Sequence, residues 1–171
     1  MATPTYIPLA TVTLAASSPQ VTFTNISQDY SDLVLVWDKV FSGESNQVNT
    51  LLSFNGDSSN YSTVYMYGNG SSAASASSTA QQRLAWGSIY TTTNTDSTQG
   101  TAQIVDYSAT DKHKTTLMRA NVIGSNGIGA LASASRWAST AAVTSLSISS
   151  SVDSFAAGAT FKLFGIHGEV V

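Results

Sequence analysis

Residues 33–37 read Leu33-Val34-Leu35-Val36-Trp37, with Asp32 before them and Asp38-Lys39 after. This is the longest unbroken apolar run in the chain. It is branched and aromatic, and too short for a buried helix. Such a run between polar residues suits a strand covered on both faces. It predicts the central strand of a β-domain.

Outward from this run, short apolar segments recur with a period of two, as half-buried strands require. Val21 and Phe23 alternate with Thr22 and Thr24. Residues 48–54 form a strand stopped by Asn55-Gly56-Asp57, since Asn and Gly tolerate the positive φ of a tight turn. In 61–67 the even residues Val64 and Met66 are expected in the core, with Tyr61, Tyr65 and Tyr67 on the other face. Further strands are expected over 83–90, 102–107, 130–138, 143–148 and 159–166. Residues 115–123, apolar on both faces, are expected to be central. Pro4 and Pro8 make 6–14 an edge strand or an arm, because proline cannot donate to a ladder.

The segment 68–80, built almost wholly of Gly, Ser and Ala, reads as an exposed loop. Polar loops are expected over 43–46 and 91–100, a charged turn over 109–114, and a tight turn at Gly124-Ser125-Asn126-Gly127. A turn of helix fits near residues 137–140. About ten to eleven strands spaced near ten residues apart define an all-β chain. The architecture expected is a jelly-roll-like antiparallel β-sandwich. The division expected is an N-terminal arm or edge strand over 1–10 and a single sandwich domain over 11–171.

Composition narrows the function. Of 171 residues, 10% are charged and the net charge is −3. A nucleic-acid binder needs clustered Lys and Arg, and seven scattered ones do not supply them. Polarity comes instead from Ser and Thr, 49 residues together. There is no cysteine, so disulfides and thiolate metal sites are excluded. The first residues lack the basic and apolar segments of a signal peptide, and no apolar run reaches the ~20 residues of a membrane helix.

Catalytic chemistry finds little material. His113 and His167 have no nucleophile paired with them in sequence, and a triad also needs an orienting carboxylate. Glu44 and Glu169 are the only glutamates, which leaves no paired arrangement for glycoside hydrolysis. Residues 55–60 are oxygen-rich but lack the carboxylate density of a calcium loop, so a plain turn is expected. No cofactor, metal site or enzyme activity is expected. The most informative group is Tyr61, Tyr65, Tyr67, Trp86 and Tyr90. These could cap the core, anchor a subunit interface or stack on sugar rings.

Several segments recur together in one order. They are Tyr6-Ile7-Pro8-Leu9-Ala10, Val21-Thr22-Phe23-Thr24-Asn25-Ile26, residues 30–35, Phe54-Asn55-Gly56-Asp57 with Asn60-Tyr61-Ser62, Tyr67-Gly68-Asn69-Gly70, and the closing strands 142–148 and 159–166. In this the chain resembles small virion structural proteins of tailed bacteriophages, including phages of cyanobacteria and other aquatic hosts. The resemblance spans nearly the whole chain and carries turns and strands, with no catalytic motif. It implies a capsid decoration (cement) protein on the outer surface of the particle, with the major capsid protein as partner. It also implies a homo-oligomer, expected as a trimer by match to capsid threefold positions. Pro4, Tyr6, Ile7 and Pro8 would form a capsid-contact arm. The alternative is a tail fibre or tail-tip appendage binding host glycans through the aromatic group.

Overall fold

The computed structural model describes residues 5–40, 48–68, 70–81, 84–89, 97–124 and 127–167. Twelve strands form among them, and no helix. They are β1 (Tyr6–Thr13), β2 (Gln20–Phe23), β3 (Asp32–Val40), β4 (Val48–Phe54), β5 (Tyr61–Gly68) and β6 (Ala73–Gln81). Then come β7 (Leu84–Ile89), β8 (Ser97–Val105), β9 (Lys114–Gly124), β10 (Gly127–Trp137), β11 (Leu146–Ser150) and β12 (Thr160–Ile166).

Every pairing is antiparallel, and the pairs nest. β1 pairs with β12, β2 with β11, β3 with β8, β4 with β7, and β5 with β6. Successive pairs alternate between two sheets, as when a long double-stranded ribbon is rolled up. That is jelly-roll wrapping. The β9–β10 hairpin is inserted between β8 and β5. It widens one sheet to eight strands, β1-β12-β3-β8-β9-β10-β5-β6, opposite a four-stranded sheet, β2-β11-β4-β7.

The core lies between the sheets. Val21, Phe23, Leu52, Phe54, Leu146 and Ile148 of the narrow sheet meet Leu33, Leu35, Trp37, Ile104, Phe161 and Leu163 of the wide one. Each such side chain, fully buried, contributes roughly 1.5–3 kcal/mol. The opening run lies in β3, an interior strand between β12 and β8. Leu33, Leu35 and Trp37 enter the core, and Val34 on the opposite face is also buried.

Five expectations need correction. Residues 73–81 are not a loop. Their backbone continues the sheet from β5, with Tyr67 opposite Ala74 and Val64 opposite Ser77. Ladder pairing has overridden a composition that buries little. The faces of β5 are reversed: Tyr61 and Thr63 are buried, whereas Val64 and Met66 point to solvent. Lys114, placed in a charged turn, begins β9 and is fully buried. No helical turn forms over 137–140, where the chain leaves β10 in extended form. Of the loop expected over 91–100, residues 97–100 instead open β8, paired with β3 and β9; residues 91–96, the expected loop at 43–46 and the middle of the 124–127 turn lie outside the described residues.

Candidate interaction surface

Tyr61 is a structural residue. Its ring is 1% exposed and packs with Phe54 and Trp137, the Trp137 ring lying nearly parallel at 6.3 Å. Its Oη accepts the Phe54 N–H at 2.9 Å. The turn beside it is a polar lock. Asp57 accepts the Trp137 indole N–H at 2.7 Å and the Ser59 N–H at 2.9 Å. The indole hydrogen bond holds the Asp57 carboxyl below the usual aspartate range, with burial acting against it. Asn55, in the left-handed region at φ 52°, accepts the Thr144 and Ser145 N–H groups and donates to the Ala142 carbonyl. The oxygen-rich turn therefore spends its oxygens on the fold. Among the described residues no group of three or more His, Asp or Glu comes together to hold a metal.

The other aromatic candidates separate. Tyr65 and Tyr67 stack on one another at 6.3 Å, interplanar angle 29°, and Tyr67 is 41% exposed. Trp86 occupies β7 opposite Thr50. Tyr90 and Pro4 lie outside the described residues. Tyr6, Ile7 and Pro8 belong to β1, opposite Ile166, Gly165 and Phe164 of the same chain. Of the two readings of this segment, the edge strand is the one observed. Tyr6 stands edge-on to Phe164 at 6.4 Å. His113 and His167 are exposed, and His167 lies 5.1 Å from the Tyr30 ring.

The outer face of the eight-stranded sheet, opposite the core, is unusual. Its residues follow from the registers. One cross-strand row runs Phe164, Val34, Gln103, Leu117, Ala134 and Val64. The adjacent row runs Lys162, Val36, Thr101, Arg119, Ala132 and Met66. Such neighbours stand about 4.5–5.5 Å apart, so each row is continuous. Gln103, the polar member of the first row, donates to Asp32 at 2.7 Å. Val64 is 57% exposed, Met66 62% and Leu117 49%. The floor between them is Ala132 and Ala134. Beside Met66 the face sinks into an open concavity of about 920 Å³, lined by Met66, Ala130, Ala132, Gln99, Arg119 and Asn121.

Grouped apolar side chains at this exposure lose contact with water only when something covers them, and such patches mark interaction sites. The sequence reading missed them because it assigned Val64 and Met66 to the core. A signal was present. Tyr61 is the first residue after the polar turn 55–60, and a Tyr beside a tight turn can be both anchor and hydrogen-bond partner. Leu117 and Met118 gave no such signal, since both are apolar and adjacent.

No family model and no curated protein matches the chain. Among solved structures, it is similar to the CBM2 module of the evolved Dit of Lactobacillus casei BL23 phage J-1. Identity is 10%, over 94% of this chain and 78% of that one, at a TM-score of 0.26. A TM-score of that size establishes no shared arrangement of strands.

Proposed function

We infer that the chain is a virion structural protein of a tailed bacteriophage, a decoration protein seated on the outer capsid surface as an oligomer. The observation that carries this reading is the exposed apolar face formed by Val64, Met66, Leu117 and the alanines between them. A broad, mostly uncharged sheet face offers apolar area for contact with a shell. Burying it across a seam between shell subunits resists their separation, with the major capsid protein as partner. The sequence resemblance to phage virion proteins supports the same reading. The proposed contact surface is this sheet face, together with the N-terminal segment, whose described residues lie in the edge strand β1 with Tyr6 exposed.

The test is to add purified protein to particles stripped of it and measure occupancy. Val64→Glu with Met66→Glu places two carboxylates on the face without touching the core. Occupancy should fall at least about tenfold, equivalent to about 1.4 kcal/mol. Unchanged occupancy overturns the assignment of this face.

The stacked Tyr65–Tyr67 pair favours a second reading, a tail appendage that binds glycans by stacking sugar rings on exposed phenols. A glycan array would show ligands that Tyr67→Ser abolishes. An array without ligands would count against it.

A further inference from the structure

A sheet edge exposes unpaired backbone N–H and C=O groups, and proteins usually blunt it. In the wide sheet the β1 edge is blunted. The His167 N–H bonds the Thr5 carbonyl at 3.3 Å, and in the alternation this sets, Ile7 faces β12 and Pro8 faces outward. Proline offers no N–H there. A bulge between Pro8 and Ala10 further breaks the ladder. In the narrow sheet the β2 edge is only four residues long and follows Pro19.

Over residues 73–78, β6 has none of these devices. It is nine residues long, Ala73-Ala-Ser-Ala-Ser-Ser-Thr-Ala-Gln81, with no proline and no charge. Its register with β5 is regular from Ala73 to Ser78, and the one irregularity falls beyond Ser78. Among the described residues no strand pairs with the outer side of 73–78.

We propose that this free edge pairs antiparallel with the β6 edge of a second copy, across a twofold axis normal to the sheet. Two observations select a second copy. An uncharged strand meets its own image with no like-charge repulsion, although the chain carries net charge −3. Twofold pairing uses the same edge on both partners, whereas head-to-tail extension of the wide sheet would join β6 to β1, where Pro8 and the bulge stand. An axis normal to the sheet also keeps the cores of both copies on one side. The Val64–Met66–Leu117 faces then lie side by side on the other, as one apolar surface twice as wide. The pairing stands whether or not that surface meets a capsid. It replaces the threefold assembly expected from sequence with a twofold one.

The experiment is sedimentation velocity on the full chain over a concentration range reaching ~100 µM, well above ordinary transient affinities. The expected result is a monomer–dimer equilibrium. Ser75→Lys with Ser77→Lys sets lysines of the two copies against each other, and should raise the dimer dissociation constant at least about tenfold. Ser77→Pro removes an N–H from the strand as a second disruption. Circular dichroism and thermal melting establish that each variant is folded. Hydrogen exchange at low and high concentration gives a readout without any variant, since residues 73–78 should gain protection on dimerisation. A monomer throughout the range overturns the proposal. So does a trimer, or a dimer that both folded variants leave intact and that gains no protection over 73–78.

Discussion

Gly100 lies directly across from Trp37, and the Trp37 indole occupies the space where a side chain at position 100 would be. The two residues are register partners of β8 and β3. A Cβ on Gly100 would come 2.6 Å from the indole Cε2 and 2.8 Å from the Arg119 carbonyl oxygen. Both neighbours are fixed, one in the core and one in the backbone of β9. A glycine in a central strand is ordinarily a cost, and here it makes room for the largest side chain of the β3 run. Gly165 stands in the same relation to the Tyr30 ring, whose Cδ2 would lie 2.6 Å from an added Cβ.

Gly100→Ala should therefore destabilise the fold by about 1–3 kcal/mol through overpacking. The urea midpoint measures it. An unchanged midpoint would mean that Trp37 has another rotamer open to it, and that β3 and β8 pack less closely than described.

Tyr61 and Tyr67 have opposite roles despite sharing a strand. Tyr61→Phe strands the Phe54 N–H in the core and should cost about 1–3 kcal/mol. Tyr67→Ser, on the exposed end, should stay within about 0.5 kcal/mol of the parent. Denaturant titration of the pair separates them. Equal effects would contradict the division of β5 into a buried and an exposed half.

Asp57 gives an acid-side prediction. Its pKa is lowered in the fold by the Trp137 indole, so its contribution is present above the ordinary aspartate value and lost as pH falls through the folded value. Asp57→Ala removes the partners of the Trp137 and Ser59 N–H groups and should cost about 1–3 kcal/mol at neutral pH. The difference between parent and variant should shrink in acid, followed by melting temperature against pH. A difference that persists undiminished at low pH would contradict the indole–carboxylate bond.

Lys114 gives the alkaline counterpart. Burial lowers its pKa, offset in part by Asp111 and Asp106, with Lys112 acting with burial. Its Nζ donates to the Lys112 carbonyl at 2.9 Å and the Thr140 carbonyl at 3.4 Å. Between the depressed value and the ordinary lysine value the unfolded chain binds more protons, so stability rises with pH across that window. Lys114→Met should lack this increment. Parallel stability curves for parent and variant over that range would show that the ammonium is hydrated.

Much of the fold is legible in residues whose period and boundaries agree. The 48–54 strand ends where Asn55-Gly56 demands positive φ, and the run over 33–37 lies in an interior strand, with Leu33, Leu35 and Trp37 in the core, Val34 buried and Val36 half-buried on the outer face. The failures share a cause. Gly, Ser and Ala in 68–80 have no local preference strong enough to oppose pairing with β5, and that pairing is a long-range fact. The faces of β5 were undecidable locally, because Tyr and Thr suit a core as well as Val and Met do. Only the nesting of β4, β5 and β10, which brings Phe54, Tyr61 and Trp137 together, settles which face turns inward. The exposed face could not be foreseen, since six strands from both halves of the chain build it.

The central claim is that this chain is part of a phage particle, and its most direct test is its copy number there. Phage particles from a culture that produces the chain can be purified and digested, and the chain quantified by mass spectrometry against the most abundant shell protein. A capsid decoration protein gives a ratio near one, or one in a few. A few to a few tens of copies per particle would contradict the capsid placement and move the chain to the tail, and absence from the particles would contradict a virion role altogether.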